Sequence, residues 1–278
     1  MNLMRLWLYV TLLCCSLSIC WASTPFVQAA TGYTAGGAGS NIVTTGTGGI
    51  AFGSDVTSGN YLHVLFQIDT NHAPMGWTIS QTAGTATIGT PVLIRTDDLS
   101  ASITTIYYQY GIPITGSGTL TLQGTYGETF QTVHIAVIEL SDIDTTTPFT
   151  TGEYAAAANF NVATGATMTT GNTPTLANTE SYLCSFGAVR FFNGLPPSAG
   201  NGTIQINTLW PEPSSGGTTP GLSYQTRLLS STTATNSTFT AVANFSITGV
   251  LGAVFKKAAA GGGTAVSVFK HHYSQMKH

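Results

Sequence analysis

Charge is scarce in this chain: Asp, Glu, Lys and Arg together make up only 7% of its 278 residues, against about a quarter in ordinary soluble domains. Too little Glu, Lys, Arg and Leu is present to build long amphipathic helices. The formal net charge of −3, with no basic stripe to neutralise phosphates, excludes a nucleic-acid binder. Cysteine is scarce as well. Of four, Cys14, Cys15 and Cys20 lie in the first twenty residues, which leaves Cys184 alone in the body. One thiol closes no internal disulfide and builds no thiolate metal site; only pairing between chains is left open. Hydrolase signatures are missing too, with neither a G-x-S-x-G elbow nor an H-E-x-x-H helix. The glycine runs at 36–39 and 46–49 precede no helix and so cradle no phosphate.

What the chain has in excess is threonine, with 47 residues, and glycine, with 32. Threonine is β-branched and stiff at its first torsion, which suits a pleated strand and disfavours a helix. Residues 61–68 alternate, with Leu62, Val64, Phe66 and Ile68 on one face and His63 and Gln67 on the other. That period of two reads as a half-buried strand. Similar signals recur about a dozen times up to Phe255, separated by Gly, Pro and Asn clusters at 70–74, 111–118, 142–148 and 193–202. The reading is all-β: an antiparallel two-sheet β-sandwich of jelly-roll-like type.

The N-terminus has the form of a secretory signal peptide. A short start with Arg5 leads into an apolar run from Leu6 to about Trp21, followed by small residues that allow cleavage after Ala22 or Ala29. No later run reaches the roughly 20 apolar residues of a bilayer span, so no membrane span is expected in the mature chain. The expected organisation is signal peptide 1–30, Gly/Thr-rich leader 31–49, sandwich domain 50–257, and a flexible linker with a basic tail at 258–278. All eleven acidic residues lie between 31 and 255, against Arg95, Arg190 and Arg227. The segment 256–278 carries four lysines and three histidines without an acid.

Several segments together resemble a known family. Ser58-Gly59-Asn60-Tyr61-Leu62-His63-Val64 is similar to its opening strand. Ile106-Tyr107-Tyr108 and Gly118-Thr119-Leu120-Thr121-Leu122 resemble two later strands. Ile138-Glu139-Leu140-Ser141-Asp142-Ile143-Asp144 resembles a Glu-Tyr-Ser-Gly segment, with Asp142 standing where the family usually has glycine. Residues 238–255 resemble its closing strand pair. The family comprises secreted bacterial jelly-roll-like β-sandwich modules of surface and extracellular proteins, mostly without an assigned activity. The resemblance runs from about residue 41 to 257 and rests on order and spacing. It implies secretion, a sandwich and a non-catalytic role, and it names no ligand.

Chemistry-bearing residues are few. Asp97 with Asp98, and Asp142 with Asp144, sit at strand ends, where Asp most often closes Asx-type turns. Such pairs also suit Ca²⁺, a hard cation that collects six to eight oxygens, so Ca²⁺ is the one cofactor weighed. Glu139 lies within an apolar strand and, if buried, needs donors from a neighbouring loop. His63 and His134 read as isolated surface histidines rather than zinc ligands. Among the aromatics, Tyr107, Tyr108 and Tyr110 alternate along one strand, so at least one points away from the core. Trp210, in the stiff Trp210-Pro211-Glu212-Pro213 loop, Trp77 and Tyr108 are the candidate ligand-binding rings. Asn201, Asn236 and Asn244 head glycosylation-type tripeptides, common by chance in a Thr-rich chain.

The expected function is therefore that of a secreted, non-enzymatic module at a cell surface or in a matrix, structural or adhesive. Its partners would be an extracellular glycan or surface protein. The tail, through Ala265-Val266-Ser267-Val268-Phe269, offers self-association by edge-strand pairing. The alternative is a carbohydrate-binding module using exposed aromatics with Ca²⁺ ordering its loops. Third comes a glycan-active enzyme using Glu139 or Asp142, which needs two carboxyls facing across a sugar.

Overall fold

The computed structural model describes residues 24–35, 42–43, 49–69, 76–98, 105–126, 132–190, 196–209 and 221–259. The expected signal run, Trp210 and the tail beyond 259 lie outside them.

The described residues hold strands and no helix. The first half of the chain contains β1 (Phe26–Ala35), β2 (Ile42–Val43), β3 (Ile50–Ala51), β4 (Tyr61–Asp69), β5 (Trp77–Ala83), β6 (Thr87–Ile88), β7 (Val92–Asp98), β8 (Thr105–Gly116), β9 (Thr121–Tyr126) and β10 (Thr132–Leu140). The second contains β11 (Tyr154–Val162), β12 (Thr167–Thr169), β13 (Ser181–Arg190), β14 (Ser198–Ala199), β15 (Thr203–Leu209), β16 (Gly221–Leu229), β17 (Thr238–Thr240) and β18 (Phe245–Lys256). As the alternation predicts, the chain is all-β and built of antiparallel sheets packed face to face.

The sandwich motif occurs twice. In the first half an inner sheet runs β1-β10-β4-β8, with β6 and β7 on the far side of β8. Its outer sheet centres on β9, flanked by β5 on one side and by β2 and β3 on the other. In the second half the inner sheet runs β11-β18-β13-β16-β15 and the outer sheet β12-β17-β14. Take β2 with β3 and β6 with β7 as single broken strands. Both halves then place their first, eighth, third, sixth and fifth strands in the inner sheet, and their second, seventh and fourth in the outer one. This is jelly-roll crossing carried out twice in one chain.

The two inner sheets face each other, so four sheets stack with three layers of side chains between them. Leu62, Val64, Phe66, Tyr108 and Tyr126 fill the first layer. Leu65, Tyr107, Ile138, Phe186, Tyr224 and Phe255 fill the central one, and Met168, Val189, Phe239 and Val250 the third. Each fully buried side chain of this size contributes about 2 kcal/mol. Stacking overturns the half-buried reading of 61–68, because all eight residues are buried. A strand of an inner sheet has no solvent face. Tyr107 does point away from the core of Tyr108 and Tyr110, but into the central layer, where it lies against Gly249; a Cβ there would come within 2.5 Å of the Tyr107 ring.

The ordered body also begins earlier than residue 50. Strand β1 pairs residue by residue with β10 as far as Ala35, so part of the expected signal and leader is an inner-sheet strand. Its small Gly, Ala and Thr side chains carry no apolar alternation, which hid it. Cleavage after Ala29 would divide this strand, whereas cleavage after Ala22 leaves it whole.

Candidate functional site

Glu139 is wholly buried near the end of β10, and its carboxylate gathers a loop. Oε1 accepts from the Thr57 backbone N–H at 2.9 Å and from Asn60 Nδ2 at 2.6 Å, while Oε2 accepts from Gln28 Nε2 at 2.6 Å. The expected need for loop donors is met. The Asn60 and Glu139 segments, both quoted for the family resemblance, are thus in direct contact. Three protein donors on a buried carboxylate leave it no face toward a sugar.

A second cluster ties the sandwiches together just beyond β10. Asp142 stands at φ 59°, in the left-handed region that favours glycine. The Tyr182 hydroxyl donates to Asp142 Oδ2 at 2.6 Å, and Ala258 N–H donates to the Asp142 carbonyl. Two residues on, Asp144 pairs with Lys256 Nζ at 2.6 Å and accepts from the Thr146 and Thr147 backbone N–H groups. Lys256 and these backbone donors hold the Asp144 carboxyl down to about 2.

The four aspartates weighed for Ca²⁺ fall into two separate places. Asp97 and Asp98 pair with Tyr107 and Ile106 of β8, a row that continues through Gln67 and Ile68 of β4 to His134 and Val133 of β10. The cluster of Asp142 and Asp144 lies past Leu140, six strand residues or about 20 Å further along β10. Asp97 is buried and ion-paired with Arg95 Nε. Burial pushes its carboxyl up, and the Arg95 guanidinium pulls against that shift. Asp142 and Asp144 are engaged as above, in a turn of the kind the sequence favours. Among the described residues no three His, Cys, Asp or Glu side chains come together to hold a metal.

The histidines are not at the surface. His63 is fully buried in the central layer among Phe186, Tyr224 and Phe255. Burial depresses its pKa to about 3, against a smaller opposing effect of the Gln109 bond, so the ring is neutral. Its Nε2–H donates to Gln109 Oε1 at 3.1 Å, which leaves Nδ1 to accept from the Tyr224 hydroxyl at 3.3 Å. A polar chain therefore runs from Gln109 on β8 through His63 on β4 to Tyr224 on β16, crossing from one sandwich to the other. His134 is also buried, beside the Tyr33 ring at 5.1 Å. Sequence reasoning missed both because a polar residue opposite an apolar row looks like a solvent face.

Two of the three candidate rings are core. Trp77 is only 7% exposed and stacks on Phe66 at 4.2 Å; Tyr108 is buried, with its hydroxyl 3.2 Å from that of Tyr126. Neither presents a face to a ligand. Trp210 lies outside the described residues. One groove of about 300 Å³ opens where the start of β1 meets the second sandwich, lined by Thr24, Asn201, Thr203, Thr226, Arg227 and others. Arg227 donates to Thr235 Oγ1 and the Asn236 carbonyl, and desolvation lowers its pKa.

No protein-family model matches the chain, and neither a curated protein nor a solved structure matches it.

Proposed function

We propose that the chain is an exported, non-catalytic structural block of an extracellular surface or matrix, serving as a spacer or adhesion module. The observation that carries this reading is the four-layer stack. The groups fit for chemistry, namely Glu139, His63, Asp97 and Asp144, are engaged in holding layers and loops together. The outward positions of the outer sheets are paved with uncharged residues such as Thr78, Ser80, Thr167 and Thr240. The signal-like N-terminus and the resemblance to secreted modules support export. Fractionation of the source cells, with an antibody to the body and N-terminal sequencing, tests it. A chain found outside the cell with an N-terminus near Ser23 is expected. A chain kept inside with its leader intact would overturn the reading.

A second reading, carbohydrate binding, draws support from the groove at Arg227, whose hydroxyl and amide lining suits a small polar ligand. Binding to a glycan panel that disappears in Arg227→Met would establish it.

A further inference from the structure

We propose that the free edge of β7 accepts residues 265–269 of a second copy of this chain as an added strand, joining copies head to tail. The inference deepens the structural-block reading and rests on it.

Strand β7 closes one side of the first inner sheet, and among the described residues it pairs with β8 alone. Val92 and Leu93, adjacent on it, are 44% and 45% exposed. Among the described residues the other large aliphatics exposed to this degree, Val27 and Leu228, stand singly on separate strands. Edge strands are commonly blunted by a projecting cation or a proline within them. The cation of β7, Arg95, is instead drawn over the Tyr154 ring at 4.3 Å and paired with Asp97. A row of backbone donors and acceptors flanked by two bare aliphatics is a template for another strand.

The chain carries a segment that fits. Ala265-Val266-Ser267-Val268-Phe269 has no charge and no proline, and it alternates Val266 and Val268 against Ser267 and Phe269. A glycine run at 261–263 separates it in sequence from the body. Charge fixes the direction. Lys270, His271 and His272 follow the segment, and exposed Asp98 ends β7. A strand parallel to β7 with Val266 beside Val92 brings those basic residues alongside exposed Asp98; an antiparallel strand carries them away.

Reach assigns the segment to a neighbour. Ala258 is held at Asp142, at the far side of β10. The space beyond β7 lies four strand spacings across and about four residues along from there, about 23 Å in all. Seven residues of glycine-rich linker span about 15 Å on average, so a chain meets its own β7 edge only when nearly taut.

The test uses the full chain in the form the cell delivers, with light scattering after size exclusion. Wild type should form concentration-dependent oligomers. Leu93→Lys, which spoils the acceptor, and Val268→Lys, which spoils the donor, should each weaken association at least about tenfold. Leu93 is clear of the core at 45% exposure, and unchanged melting is the control that each variant folds. Mixed together, the two variants should give a one-to-one dimer, because one keeps a donor and the other an acceptor. A wild type monomeric at every concentration, oligomers that persist in both variants, or a mixture that stays monomeric would each overturn the inference. Export is read separately by fractionation, so the two failures are distinguishable.

Discussion

Tyr182 of the second sandwich donates its hydroxyl to Asp142 at the end of the first, 2.6 Å away, and so steadies a residue in left-handed backbone at φ 59°. Replacement separates the two effects. Asp142→Gly gains about 1 kcal/mol of backbone relief and loses a charge-assisted hydrogen bond of about 1.5 kcal/mol, so it should lie within about 1 kcal/mol of wild type. Asp142→Ala loses the bond without the relief and should cost about 2 kcal/mol or more. Urea midpoints of both variants check the difference.

Glu139 should prove the costliest polar residue to remove from the first sandwich. Glu139→Ala strands three donors, on Gln28, Thr57 and Asn60. A loss of about 3 kcal/mol is expected. Asn60→Ala removes one donor of the three and should cost about half as much. Proteolysis at the loop 53–60 should speed up in both.

Acid should loosen the joint through His63. Its folded-state pKa of about 3 lies below the ordinary value near 6.5. As the pH falls below about 6.5 the unfolded chain takes up the proton and the folded one does not. Stability is therefore complete above that pH and drains away between about 6.5 and about 3, by about 5 kcal/mol at most. In His63→Gln the melting temperature should be lower at pH 7 but change less between pH 7 and pH 4 than in wild type. An equal slope in the two proteins would remove His63 as the cause.

Packing of the two sandwiches on each other makes Gly249 and Tyr107 interdependent. A Cβ on Gly249 would lie 2.5 Å from Tyr107 Cζ, and overpacking of this kind costs about 2 kcal/mol. In a Tyr107→Leu background the same Gly249→Ala change should cost much less. A double-mutant cycle should return a coupling of about 1 kcal/mol or more.

Cys184 should be inert while the chain is folded. Burial pushes its thiol up to about 12, slightly offset by Tyr224, and no solvent reaches it. Iodoacetamide should leave the peptide containing Cys184 unmodified in buffer and alkylate it fully in denaturant. Modification in buffer at the denatured rate would mean that the central layer opens freely, and a disulfide between native chains is disfavoured on the same ground.

The sequence was legible where a strand has one solvent face. Ile79, Leu122 and Phe239 alternate with polar residues in the outer sheets, and the burial follows that pattern. It was misleading in the inner sheets. There His63, Gln67 and Gln109 look like water-facing positions but are buried in the central layer, and Ser185 and Ser223 are buried on the other face of their sheet, in the third. Some find partners in the third layer: Ser223 Oγ donates to the Pro197 carbonyl, and Gln225 Nε2 to Ser237 Oγ at 2.7 Å. Polar residues matched to one another satisfy the same rule as polar residues in water, and period alone does not tell the two apart. Glu139 was readable because an acid in an apolar strand demands donors. The duplication was not, since Ile106-Tyr107-Tyr108 of β8 and Leu222-Ser223-Tyr224 of β16 share topology rather than residues.

Doubling the sandwich within one chain also sets an order of events at the ribosome. Every strand of the first half precedes every strand of the second, so the first sandwich can close while the second is still being made. Until then Leu65, Tyr107 and Ile138 stand on a bare sheet, a sticky face awaiting its cover. That cover is tethered by the short stretch 141–153, which holds it at an effective concentration that free molecules rarely reach. A newborn chain is thus guarded against docking on its siblings by the nearness of its own second half, and a pause in synthesis between the halves is its most exposed moment.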